Sequence, residues 1–128
     1  MAQHAKHDYV PPGNLWAKEL ESLKNLSPNW DSYGAEPPNP TAISRLESVL
    51  DLLTNVGLTP TKIVPSAEGG AAVCFINGAK YADIECFNNG TVLAVLSTGR
   101  GTPEAWEVGA VKTAIWNTLE RIRDFHRG

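Results

Sequence analysis

Two carboxylates, Asp83 and Glu85, stand two residues apart in the stretch KYADIECF, and Tyr81 precedes them at the same spacing. Side chains two residues apart on a β-strand point to the same face of a sheet, so these three polar groups should form one row. Paired carboxylates at this spacing can act as a general acid and base or bind a divalent cation. Neither a histidine nor a third carboxylate stands at a matching position, which favours a solvent-facing row without a metal or cofactor.

Nucleophilic catalysis is not indicated by the other reactive residue types. Cys74 and Cys86 lie among apolar neighbours, where a thiol stays protonated and unreactive. The three histidines occupy the two terminal segments of the chain, so no Cys-His or Ser-His-Asp arrangement is indicated. The sequence therefore predicts no catalytic residues.

The stretch NWDSYGAEPPNPT, residues 29–41, is the second candidate for function. Asp31 is placed to accept a hydrogen bond from the backbone N–H of Tyr33 or Gly34, which would fold a tight turn. The rings of Trp30 and Tyr33 can pin such a turn against the core. We interpret the stretch as an architectural corner, with the exposed edges of its two aromatic rings available to a partner.

A third candidate is the stretch GRGTP, which precedes a predicted helix with Thr102 as its N-cap and Pro103 as its first residue. Free backbone N–H groups at a helix N-terminus attract anions. Arg100, Gly101 and Thr102 are therefore candidate anion-binding residues, although their spacing matches neither the P-loop nor the dinucleotide-binding fingerprint.

Helical periodicity occupies the first half of the chain. Trp16, Leu20, Leu23 and Leu26 recur at intervals of three and four residues after Asn14, which predicts a first amphipathic helix. The second helix is predicted from its punctuation and its apolar spacing. Asn39 is its N-cap, Pro40 its first residue and Gly57 the residue just past its end. Two helices should thus precede the strands.

Residues 59–98 alternate β-branched and aromatic residues between turn signals, which predicts an antiparallel meander of three or four strands. Asn77-Gly78 is a strong hairpin signal and would pair Ile76 with Ala79 and Cys74 with Tyr81. A long C-terminal helix should follow and pack on one sheet face. The predicted fold class is α+β, with one domain over residues 14–128 and a flexible arm over residues 1–13.

The predicted register divides the strands into two faces. The apolar face, which should pack on the helices, carries Val73, Phe75, Ala82, Ile84 and Cys86. The other face carries the Tyr81, Asp83 and Glu85 row, and it gains Val or Leu side chains because both alternating sets in TVLAVLS are apolar. Such a surface is typical of a partner or dimer interface. The alternative is that the N-terminal arm or the C-terminal helix covers it.

Size and charge exclude several classes of protein. The chain has 128 residues, the size of one domain, and a formal net charge of -3, which does not favour nucleic-acid binding. No apolar run is long enough to cross a membrane, and the first ten residues lack the apolar core of a signal peptide. We therefore expect a cytoplasmic protein.

Several stretches in one order, NWDSYGAEPP, IVPSAEGGAAVCF, KYADIECFNNG and TVLAVLS, resemble a group of small uncharacterised bacterial proteins. These share a W-D-x-Y-G-A-x-P element followed by a V-P-x-x-x-G-G and K-Y-A-D-I-E strand region. The resemblance covers roughly residues 15–110 and implies a bacterial origin and a compact stand-alone domain, but no functional residue.

The functional hypothesis is a non-catalytic protein-binding domain, such as the acidic accessory, antitoxin-like or inhibitor component of a two-gene system. Its partner would be a protein, suited by charge if basic, or a second copy, and it would contact Tyr81, Asp83 and Glu85 or the loop at Trp30 and Tyr33. The alternative is a small-molecule or anion-binding enzyme domain that uses the Asp31 and Tyr33 loop with Arg100.

Overall fold

A computed structural model describes residues 15–128 as three helices and a five-stranded antiparallel sheet. In chain order the elements are α1 (Ala17–Lys24), α2 (Pro40–Val56), β1 (Lys62–Ser66), β2 (Gly70–Asn77), β3 (Lys80–Phe87), β4 (Val92–Ser97), β5 (Glu104–Glu107) and α3 (Lys112–Arg127). The predicted α+β class with an antiparallel sheet and a C-terminal helix is confirmed. The strand count differs, because the prediction of three or four strands omitted β5.

The two helices before the sheet differ in how well their ends were predicted. In α2, the Asn39 side chain accepts a hydrogen bond from the N–H of Ala42 at 2.9 Å, and Gly57 ends the helix, as predicted. In α1, only eight residues are helical, and Trp16 occupies the N-cap position without a side-chain bond. The predicted Asn14 cap and the arm over residues 1–13 lie outside the described residues. Within residues 15–128, no helix combines the length and the apolarity needed to span a bilayer.

The sheet is a simple meander in which each strand pairs with the next along the chain. Its inner face packs on α2 and α3 and forms the core. The sheet residues of this core are Ala71, Val73, Phe75, Ala82, Ile84, Cys86, Val92, Ala94 and Leu96. Phe75, Leu46 of α2 and Leu119 of α3 are fully buried. The predicted division of the strands into an inner apolar face and a second face is therefore correct.

The predicted hairpin turn is wrong by one residue, which shifts the pairing register by two residues. Asn77 pairs with Lys80 and Ile76 with Tyr81, so the turn consists of residues 78 and 79. Both flanking side chains are held by the end of α3, because Asn77 Nδ2 donates to the carbonyl of His126 at 3.0 Å and Lys80 Nζ donates to that of Phe125 at 2.9 Å. Each cross-strand partner moves by two positions, and the period of two leaves the faces unchanged.

The C-terminal helix begins at Lys112, and the prediction that it begins at Thr102 and Pro103 is wrong. Residues 104–107 instead form β5, whose backbone pairs with the edge that β4 would otherwise leave open. Trp106 faces inward from β5, and its indole Nε1 donates to Thr118 Oγ1 of α3 at 3.3 Å. The guanidinium of Arg121 lies 4.2 Å from the centre of the same ring. The strand is thus stabilised by contacts that the local sequence does not show.

Candidate functional site

The sheet face turned away from the core, called the outer face below, carries the predicted polar row. By register its members are Lys62, Val64, Ser66, Ala72, Cys74, Ile76, Tyr81, Asp83, Glu85, Phe87, Leu93, Val95, Ser97, Ala105 and Glu107. None of these side chains belongs to the main hydrophobic cluster between the sheet and the helices, although Ser66, Ala72 and Cys74 are buried. The outer face is therefore a second surface, positioned by the sheet but separate from the contacts that hold the sheet on its helices.

Aliphatic side chains make the outer face partly apolar. Val64, Leu93 and Val95 are half-buried, while Ile76 is 43% exposed. The predicted alternative that the C-terminal helix covers this surface is wrong, because α3 packs through Ile115, Leu119 and Ile122 into the core of the inner face. The N-terminal arm, the other predicted cover, lies outside the described residues.

A hydrogen-bonded trio occupies the middle of the outer face. The hydroxyl of Tyr81 donates to Asp83 Oδ2 at 2.6 Å, and Cys74 Sγ lies 3.6 Å from the same hydroxyl. Burial raises the pKa of the Asp83 carboxyl, and the bond from Tyr81 opposes that rise. Burial and the bond to Asp83 raise the pKa of Tyr81, and burial also raises the pKa of Cys74. Tyr81 therefore stays a hydrogen-bond donor, and Cys74 is not an activated nucleophile.

Three carboxylates of the outer face have no cation beside them. Asp83 Oδ1 is buried and accepts no hydrogen bond, while Glu85 Oε2 accepts one from the Ser66 hydroxyl. Glu107 is exposed on the same side as Glu85. The ion pairs formed within residues 15–128 lie elsewhere, since they join α1 to α2, α3 to Glu104, and residues of α3 to one another. The outer face is therefore negatively charged around β3 and β5.

The arrangement offers little for catalysis. Across the described range, no three His, Cys, Asp or Glu residues are grouped as a metal ion would need. Cys86 points into the core, where burial raises its pKa to about 12. Cys74 and Cys86 are both free and lie on opposite faces, as predicted.

The loop over residues 29–41 is closed by its own polar side chains. Asp31 Oδ1 accepts hydrogen bonds from the N–H groups of Tyr33 at 2.9 Å and Ala35 at 3.0 Å. Asn29 Oδ1 accepts one from the N–H of Gly34, which has a φ of +85°. Asp31 therefore serves the turn, as predicted for an architectural corner.

The two aromatic residues of this loop have different environments. Trp30 is half-buried and its indole Nε1 donates to the carbonyl of Glu36 at 3.2 Å. Tyr33 is 93% exposed, so the expectation that its ring packs against the core is wrong. Neither residue belongs to the outer face. Their role in binding a partner stays a prediction, with Tyr33 the more accessible of the two.

We expect Asp31→Ala to lower the free energy of unfolding by about 2 kcal/mol, because two backbone N–H groups lose their acceptor. Asp51→Ala is the matched control, since Asp51 is exposed on α2 and makes no hydrogen bond or ion pair within the described chain. Urea denaturation of both variants measures the difference. Unchanged stability of the Asp31 variant together with lost partner binding would show that the loop is a binding site and not a corner.

The candidate anion site at residues 100–102 loses its physical basis. A strand and not a helix follows it, so no helix N-terminus directs N–H groups at an anion there. Thr98 Oγ1 accepts a hydrogen bond from the N–H of Arg100 and donates to its carbonyl, which closes a local turn. Arg100, Gly101 and Thr102 are all exposed. Three surface grooves of about 330 to 430 Å³ are lined by other residues, and neither Asp31, Tyr33 nor Arg100 borders them.

Part of the outer face could not be found from the sequence. Assigning residues 104–107 to a helix hid Ala105 and Glu107, which the register places beside Val95 and Leu93. The available signals were Gly99 and Gly101, which mark a turn after β4, and Gly109, which separates the segment from α3. They are compatible with a short strand as well as with a helix start.

Comparisons with family models, with curated proteins and with solved structures find no match to this chain. The function has to be inferred from the geometry of the described residues. Their distinctive feature is a partly exposed sheet face that is both aliphatic and negatively charged.

Proposed function

We propose that this chain is a non-catalytic protein-binding domain that docks a partner protein on the outer face. The observation that carries the proposal is the group of aliphatic side chains, among them Ile76, Leu93 and Val95, that the core does not use. An apolar patch bordered by polar groups is typical of protein interfaces, because burying it against a partner releases water from apolar surface. The strands around it hold the patch in a fixed shape.

Charge favours a basic partner over a second copy. Asp83, Glu85 and Glu107 lack neighbouring cations, so complementary positive charge would speed association and favour the correct partner. Two copies docked face to face about the middle strand would bring Asp83 and Glu85 against their own equivalents, which repel one another. The partner is therefore a different, basic protein.

The proposed biological setting rests only on the small size and the acidity of the chain. An acidic domain that blocks a basic surface fits the accessory, antitoxin-like or inhibitor component of a two-gene system. The bacterial cytoplasm is its proposed location, and the resemblance to small bacterial proteins supports the bacterial origin. No observation within residues 15–128 favours the alternative of an enzyme domain, since Asp31 is engaged by its own backbone.

We expect Val95→Arg to raise the dissociation constant of the partner complex tenfold or more. The arginine places a long side chain in the middle of the docking surface, and its charge repels the positive charges of a basic partner. Thr113→Arg is the control, since it adds the same side chain at an exposed position of α3. Both variants are co-expressed with the products of the neighbouring genes. The dissociation constant of the complex that forms is measured by isothermal titration calorimetry.

Three results would overturn the proposal. The first is that no complex forms with any neighbouring gene product. The second is that the Val95 variant binds as tightly as the natural chain, and the third is that the Thr113 variant loses binding instead. Thermal melting of each variant shows whether the fold is intact, since Val95 lies outside the core.

A further inference from the structure

We propose that the partner presents an arginine side chain to a row of three outer-face residues, Glu85, Leu93 and Glu107, called the acidic row below. This inference rests on the proposed function and names the chemistry that the same surface selects. Leu93 of β4 pairs with Glu85 of β3 on one side and with Glu107 of β5 on the other. The acidic row therefore crosses three neighbouring strands with an aliphatic residue between two carboxylates.

The spacing of the acidic row fits one cationic side chain. Neighbouring strands lie about 4.8 Å apart, so the Cα atoms of Glu85 and Glu107 are about 10 Å apart with Leu93 midway. A cationic side chain laid over Leu93 would place its aliphatic stem on that residue, as long basic side chains do on apolar surface. Its charged end would then lie within reach of both flexible glutamate side chains.

Neither carboxylate of the acidic row is neutralised by the described chain. Glu85 uses Oε2 to accept the hydrogen bond of the Ser66 hydroxyl, which leaves Oε1 for another donor. Glu107 makes no hydrogen bond or ion pair through its side chain within residues 15–128, and it is exposed. Lys62, the one cation that the register places on the outer face, belongs to a different row and to β1 at the opposite edge. The positive charge must come from outside.

Arginine fits this arrangement better than lysine. The guanidinium is planar and weakly hydrated, so it can lie flat on Leu93, and its five N–H donors can reach carboxylates on two sides. A lysine ammonium is compact and strongly hydrated, so it loses more hydration when it is placed on an apolar residue such as Leu93. A second copy docked face to face cannot supply the group, because the outer face carries no arginine.

The test uses a capped pentapeptide, acetyl-Thr-Val-Arg-Val-Thr-amide, as the probe. Matched peptides carry citrulline, the neutral analogue of arginine, or lysine at the central position. Each peptide is titrated into the full chain labelled with ¹⁵N, and the backbone amide shifts of Glu85, Leu93 and Glu107 are followed by NMR. We expect the citrulline peptide to bind about tenfold more weakly than the arginine peptide, since it loses the charge-assisted hydrogen bonds.

The double variant Glu85→Gln with Glu107→Gln should abolish the preference for arginine over citrulline. Glutamine at position 85 keeps an oxygen that can accept the Ser66 bond, so the fold is preserved. The control is the double variant Glu21→Gln with Asp51→Asn, which also removes two carboxylates, from exposed positions of α1 and α2, and should keep the preference.

Equal binding of the arginine and citrulline peptides, or no outer-face shifts at about 10 mM peptide, would overturn the arginine inference. The docking proposal would survive that result if Val95→Arg still weakens the partner complex. If Val95→Arg also has no effect, the proposed function falls with it. A preference that persists in the Glu85 and Glu107 double variant would mean that the arginine contacts a different surface.

Discussion

Gly70→Ala should lower the free energy of unfolding by about 4 kcal/mol, a large part of the stability of a typical domain. Gly70 has a φ of +144°, and a Cβ added there would lie 2.1 Å from the carbonyl oxygen of Cys86 and 2.9 Å from the Cα of Phe87. Both atoms belong to the backbone of β3, which is paired with β2 at this position. They can move only if the pairing of β2 with β3 is disrupted at this end of the two strands.

Gly101→Ala is the matched control for this prediction. Gly101 also has a positive φ, +71°, but an added Cβ would meet no atom within 4 Å. Gly101→Ala should therefore lower the free energy of unfolding by only the backbone strain, about 1 kcal/mol. Urea denaturation followed by circular dichroism compares the two variants. Equal losses would contradict the steric explanation.

Asn88→Ala should lower the free energy of unfolding by about 3 kcal/mol, because Asn88 joins the sheet to the start of α2. Its Oδ1 accepts a hydrogen bond from the N–H of Asn39 at 2.9 Å, and its Nδ2 donates to the carbonyl of Pro37 at 3.1 Å. The Asn39 side chain, which caps α2, donates in return to the carbonyl of Asn88 at 2.9 Å. Truncation leaves two part-buried backbone groups without partners and loosens the cap.

The neighbouring Asn89 provides the control for this second variant. Asn89 is exposed, and its side chain accepts a single hydrogen bond, from the N–H of Thr91 within the same turn. Asn89→Ala should therefore lower the free energy of unfolding by about 1 kcal/mol or less. Thermal and urea denaturation rank the two variants. A greater loss from Asn89→Ala would show that Asn88 does not carry the connection.

Features with local causes could be predicted from the sequence. The cap of α2 is set by Asn39, Pro40 and Gly57, all within or beside the helix itself. The two faces of the sheet follow from the period of two, which is why the Tyr81, Asp83 and Glu85 row lies on the outer face even though the predicted register differs by two residues. The corner at Asp31 forms through hydrogen bonds to side-chain oxygens, and these bonds span at most five residues.

Features with distant causes could not be predicted. Segment 104–107 is a strand because β4 offers it a free edge, and Trp106 is held by Thr118 twelve residues later. Asn88 and Asn39 meet across 49 residues, so the sequence NNG indicates only a turn. The acidic row was missed for the same reason, since Glu107 reaches the outer face only through the pairing of β5. Non-local pairing decides both the edge of the sheet and the limits of the candidate site.

The outer face is tested most directly by carbodiimide labelling of carboxyl groups, read by mass spectrometry, with and without the bound product of a neighbouring gene. Glu85 and Glu107 lie on the outer face, whereas Glu21 and Asp51 lie exposed on helices. We predict that binding lowers the labelling of Glu85 and Glu107 several-fold and leaves that of Glu21 and Asp51 unchanged. Unchanged labelling of Glu85 and Glu107, with protection of Glu21 or Asp51 instead, would contradict docking on the outer face.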